Sequence, residues 1–79
     1  MGNIHQVKVV VHVDDALNEG QRMEMVKYLR DCDGVEDANF SPGHDHLLLI
    51  DYDRDRVQSK DVLDYVQQNH KGAELVGPM

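Results

Sequence analysis

From Val7 to Val13 the chain is β-branched at almost every position, with Val7, Val9, Val11 and Val13 on one side of an extended backbone. That run predicts a strand. Asp14 to Gly20 is polar and reads as a turn. Helical spacing follows over Gln21 to Asp31, because Met25, Leu29 and Cys32 recur at i, i+4 and i+7. Asp33-Gly34 ends that helix, glycine being the residue that takes left-handed backbone at least cost. Val35, Ala38 and Phe40 mark a second strand, and Ser41-Pro42-Gly43 is a turn signal. His46 to Tyr52 predicts a third strand, with Leu48, Ile50 and Tyr52 on one side and Leu47 and Leu49 on the other. Ser59 is the expected N-cap of a second helix, with Asp61 in its first turn and Val62, Leu63 and Val66 as its apolar stripe. Ala73 to Val76 gives a short fourth strand, and Gly77-Pro78-Met79 reads as a frayed tail.

The order is β-α-β-β-α-β. Right-handed crossovers fix each β-α-β unit, and the hairpin sets the third strand beside the first. The expected architecture is α+β, a single domain over residues 1–79 with its core from about 7 to 76. It is a ferredoxin-like sandwich: a four-stranded antiparallel sheet in the order 4-1-3-2, with both helices on one face.

Charge narrows the partners. Fifteen acids against 8 bases give a net charge of −7, which repels a phosphate backbone. The third strand also lacks the stacked aromatics of RNA-binding sheets, so no nucleic acid is expected. One cysteine, Cys32, allows neither an internal disulfide nor a Cys-pair metal site. No nucleophile–base arrangement is visible, so no enzyme is expected. The first residues have no basic or apolar leader pattern, and the apolar runs Val9–Val11 and Leu47–Ile50 are too short to cross a bilayer. The expected address is the cytoplasm, away from membranes.

Several residues carry a family resemblance. Gly34-Val35 closes the first helix, Tyr52-Asp53 ends the third strand, Val57-x-Ser59 opens the second helix and Ala73-Glu74-Leu75-Val76 forms the last strand. Together they resemble the heavy-metal-associated domain, the fold of small copper chaperones and of the N-terminal modules of metal-pumping ATPases. The resemblance runs from about Val7 to Val76. That family carries Gly-Met-x-Cys-x-x-Cys before its first helix, and the motif falls here on Asp15 to Gln21. Asn18 and Gln21 stand at the cysteine positions and Ala16 at the methionine position. Paired thiolates bind soft cations, whereas neutral amide oxygens are hard, weak donors. The resemblance therefore implies the fold without thiolate metal binding. Asn18-x-x-Gln21 instead fits a capping box. Lys71, near the metal loop in the resembling family, is expected to answer surrounding acids. Cys32 takes a core position of that family and reads as a buried, inert thiol.

Two surface features bear on function. Five histidines are present, and the topology gathers His12, His44, His46 and His70 at one end of the sandwich, near Asp14, Asp15, Glu19 and Asp45. His44-x-His46 is the best nucleus for a borderline divalent ion such as Zn²⁺, Ni²⁺ or Cu²⁺, with His12 on the neighbouring strand. Strand parity sends His12 to the open face and His46 towards the helices. The two are expected to diverge unless the hairpin twists or bulges. Solvated loop histidines are the other reading. The second feature is the sheet face away from the helices, which carries Lys8, Val10, His12, Leu47, Leu49, Asp51 and Asn39 by alternation. Val10, Leu47 and Leu49 form one apolar patch there, expected to meet a protein partner or a second copy. Met23 and Val26 either widen the core stripe or extend a contact surface.

The leading expectation is a non-catalytic interaction module that has lost thiolate metal binding. Divalent metal binding or trafficking through histidine and carboxylate is an alternative. A third is a small-molecule regulatory domain similar to ACT modules, which share this element order and bind amino acids near the first helix. No cofactor is expected beyond that divalent ion.

Overall fold

The computed structural model of the protein describes residues 6–14 and 17–78. Its elements are β1 (Gln6–His12), α1 (Glu19–Arg30), β2 (Val35–Ser41), β3 (His44–Asp53), α2 (Ser59–Gln67) and β4 (Glu74–Pro78). The strands form one sheet in the order β2-β3-β1-β4, and every neighbouring pair is antiparallel. The chain is thus a small α+β unit in which the first and third strands lie at the centre.

Alternation decides which sheet face is buried. Val9 and Val11 of β1, Ala38 of β2, and Leu48, Ile50 and Tyr52 of β3 form one apolar cluster with Met25 and Leu29 of α1 and Val62 and Val66 of α2. A single cluster holding both helices and one parity of the two central strands means that both helices stand on the same sheet face. Leu29, Leu48 and Ile50 are fully buried, each contributing about 1.5–3 kcal/mol relative to exposure.

Element ends differ from expectation by small, explicable amounts. α1 begins at Glu19 because Asn18 caps it, so Glu19 and Gly20 are helical and not part of the preceding turn. α2 begins at Ser59, so its N-cap is Gln58, whose N–H donates to Asp61 Oδ2 at 2.9 Å. β3 starts two residues early, at His44, since Pro42-Gly43 alone makes the hairpin between the paired residues Ser41 and His44. Gly43 there has φ +78°, the positive value wanted after proline in a type II turn. β4 runs on through Gly77 and Pro78, which pair with Val10 and Val9, so these two residues are not a frayed tail. Asp15, Ala16, the first five residues and Met79 lie outside the described residues.

Candidate functional site

The face away from the helices is laid out by register. Lys8 stands opposite Asp51, Val10 opposite Leu49 and His12 opposite Leu47 across β1 and β3. Asp37 and Asn39 of β2 stand opposite Asp51 and Leu49. Val10, Leu47 and Leu49 thus adjoin, and none of them belongs to the helix-side core. Their exposure differs from expectation. Val10 is only 9% exposed, because a short side chain on a strand flanked by β3 and β4 sits below its neighbours. Leu47 and Leu49 are half-buried and form the accessible part of the patch.

Charges border this apolar centre. Lys8 Nζ lies 3.9 Å from Asp51 Oδ1. On the β2 side, Arg30 of α1 donates from Nε to Asp37 Oδ1 at 3.0 Å and from Nη2 to Asn39 Oδ1 at 2.9 Å. An apolar middle with a polar rim is how protein interfaces are usually built.

Two histidines close the remaining end. Val13 N–H donates to His46 O at 2.8 Å, and the His46 ring nitrogen Nδ1 lies 2.8 Å from Val13 O. A carbonyl oxygen only accepts, so Nδ1 carries the proton. The ring thereby takes the return bond that a regular antiparallel pair makes with its backbone. This irregularity, just after a register shift between Phe40 and Ser41, overturns the expected divergence. The His12 and His46 rings lie 5.9 Å apart at 26°. His12 Nδ1 is 3.6 Å from Asp14 Oδ1, too far for a hydrogen bond. His44 is exposed on the hairpin, and His70 lines a cleft between the helices with Leu17, Gln21 and Tyr28. Among the described residues, no group of three or more His, Cys, Asp or Glu side chains is placed to hold a metal ion.

The loop before α1 is organised by capping. Gln21 N–H donates to Asn18 Oδ1 at 2.8 Å, and Asn18 N–H donates to Gln21 Oε1 at 3.0 Å. Both amide oxygens are spent on backbone donors, and as hard donors they do not fit a soft cation. Arg22 fastens the same end, donating to Leu17 O at 2.6 Å and lying 3.7 Å from Asp45 Oδ2. Lys71 is exposed and forms no ion pair with another described residue.

Cys32 is half-buried, and its Sγ donates to Tyr28 O at 3.4 Å. Burial pushes the thiol above its ordinary value. A thiol so placed stays protonated at neutral pH and is a poor nucleophile. Of the helix pair singled out in the sequence, Val26 packs against the core while Met23 is 66% exposed. Met23 lines a groove with Val26, Lys27 and Phe40 between α1 and β2. The sequence offered Met23 and Val26 as a possible contact surface, but the groove itself depends on how α1 lies against the edge strand β2. No protein-family model and no curated protein sequence matches the chain.

Proposed function

We propose that this chain is a non-catalytic interaction module, a degenerate heavy-metal-associated domain of ferredoxin-like fold acting in the cytoplasm. Its open sheet face binds a second copy or another protein. The observation that carries this reading is the position of Val10, Leu47 and Leu49. They are apolar, contiguous, outside the helix-side core and bordered by the Lys8–Asp51 and Arg30–Asp37 pairs. The mutual capping of Asn18 and Gln21 supports the loss of thiolate chemistry.

The size of the face sets the strength expected. Four strands about 4.8 Å apart and roughly seven residues long cover about 20 by 23 Å. That is below the about 800 Å² per partner of a standard stable complex, so association is weak and reversible. Sedimentation equilibrium and native mass spectrometry across a concentration series test it. The expected result is a dimer or a partner complex that Leu49→Asp removes while the melting temperature changes little. A chain that stays monomeric at the highest concentration and recovers no partner refutes the reading.

A further inference from the structure

We propose that the cleft between α1 and β2 seats a second copy of the chain, with the two α1 helices antiparallel about a two-fold axis. The contact is built from α1, so it does not depend on what the open sheet face binds. Three observations carry it.

The first is an apolar residue outside the core. Met23 is 66% exposed, the most exposed large apolar residue among those described. It lines an open cleft of about 900 Å³ together with Val26 and Phe40. The helix already buries Met25 and Leu29 against the sheet, so Met23 gives it a second, outward apolar position.

The second is the order of charge along the cleft. Glu19 and Glu24 lie in the N-terminal half of α1, Lys27 and Arg30 in its C-terminal half. Glu19, Glu24 and Lys27 form no ion pair with another described residue. Arg30 is held at the cleft edge by Asp37 and Asn39. An antiparallel pair sets each half against its opposite, and a parallel pair sets like against like. Three of the 8 bases line the cleft but only three of the 15 acids, Glu19, Glu24 and Asp31. A copy of this chain is therefore repelled less here than over its surface as a whole.

The third is register. At about 100° per residue, Glu24 and Lys27 lie on one side of Met23, and Glu19, Val26 and Arg30 on the other. A two-fold axis perpendicular to both helices keeps each side with its own. With that axis level with Met25, Lys27 of one copy and Glu24 of the other differ by about 1.5 Å in height, as do Arg30 and Glu19. Each ion pair is then made twice. Met23 lies on the aliphatic stem of Lys27 of the other copy, and Gly20, with no side chain, leaves room for Arg30. One 12-residue helix is a small contact, so the dimer is weak and fills only at high concentration.

The test is sedimentation equilibrium of the full chain up to millimolar concentration, with amide resonances followed on dilution. A monomer–dimer equilibrium is expected, with dilution moving the resonances of Met23, Val26 and Lys27. Lys27→Glu and Glu24→Lys should each weaken association about fivefold, because each sets like charges together at both symmetric contacts. The double variant Glu24→Lys with Lys27→Glu should return to about the wild-type strength. Glu24→Lys also makes the chain less acidic, so an effect of net charge alone would tighten association and carry the opposite sign. Association that is absent at the highest concentration, unmoved by either single reversal, or no stronger in the double variant than in the singles overturns the proposal. A dimer lost in Leu49→Asp, with dilution shifts at Leu47 and Leu49 and none at Met23, also overturns it and leaves the open-face reading standing.

Discussion

Gly34 faces Val57 so closely that a Cβ on it would stand 2.7 Å from Val57 Cγ1. Val57 is buried and β-branched, so its methyls have little room to turn away. Gly34 also has φ +86°, where any side chain is strained. The contact joins the turn after α1 to the approach to α2, beside the bond from Asp53 N–H to Gly34 O at 2.8 Å. Gly34→Ala should therefore add about 1–2 kcal/mol of left-handed strain to about 1–3 kcal/mol of overpacking. Gly43 is the control. Its φ is +78° with open space around it, so Gly43→Ala should cost only the strain, about 1–2 kcal/mol. Urea denaturation of the two variants separates the terms. Equal losses would show that Val57 yields.

The capping box makes a second pair of expectations. Asn18→Ala removes the acceptor for Gln21 N–H and should cost about 1 kcal/mol in chemical denaturation. Replacing both residues, Asn18→Cys with Gln21→Cys, returns thiols to the positions where the resembling family carries them. The double variant should gain one-to-one cuprous binding that the wild type lacks, measured by competition with a chromophoric cuprous chelator. Failure of a folded double variant to bind would count against the family resemblance, because the loop would then not hold the two sulfurs together.

The strand faces were legible from alternation alone. Val9, Val11, Leu48 and Ile50 are buried on the helix side, and Lys8, Val10 and Leu49 lie on the other by register. The capping box was legible too, since Asn-x-x-Gln carries its own local geometry. What escaped was long-range or irregular. Parity assigns His46 to the helix side only if its backbone pairs regularly, and its ring nitrogen breaks that assumption at Val13. The low exposure of Val10 depends on the strands at both its flanks, which residue type does not reveal. Gly20 looked like a turn residue because the cap that makes it helical lies two positions earlier.

Alkaline pH should loosen the contact between the helices. Tyr28 and Tyr65 join Cys32 there, with Tyr28 OH donating to Gln68 Oε1 at 3.2 Å and Tyr65 OH to Asp33 O at 3.1 Å. Burial, followed by neighbouring charges that include the thiolate, pushes both phenols above their ordinary value of 10.0, and burial pushes Cys32 above 9.0. These groups are neutral when protonated, so a raised value means that the folded chain favours the protonated form. Their contribution to stability is complete below the ordinary values and is lost as pH rises through the raised ones. The melting temperature should begin to fall above pH 9.0. Cys32→Ala should move the onset up towards 10.0, where the tyrosines alone titrate. An onset unmoved by Cys32→Ala would remove the thiol from the account.

The edge strand β2 carries its own guard. An edge leaves backbone N–H groups free to pair with another chain. Here Ala38 N–H donates to Asp37 Oδ1 at 2.9 Å, and Arg30 Nε donates to the same oxygen at 3.0 Å. Asn39 Nδ2 donates to the other Asp37 oxygen at 3.2 Å, so one carboxylate gathers a backbone donor, a guanidinium and an amide. A register shift between Val35 and Asp37 adds a bulge that bends the strand. Asp37→Ala leaves Ala38 N–H and Arg30 Nε without this acceptor, at a cost of about 1 kcal/mol. The larger effect should be kinetic: light scattering on warming should begin earlier, at temperatures where the chain is still folded. Asp37→Asn keeps an acceptor for Ala38 N–H but loses the charge that holds Arg30, and should fall between the two. If Asp37→Ala scatters no sooner than the wild type despite its lower stability, the carboxylate is a local cap and the edge is protected by its bend alone.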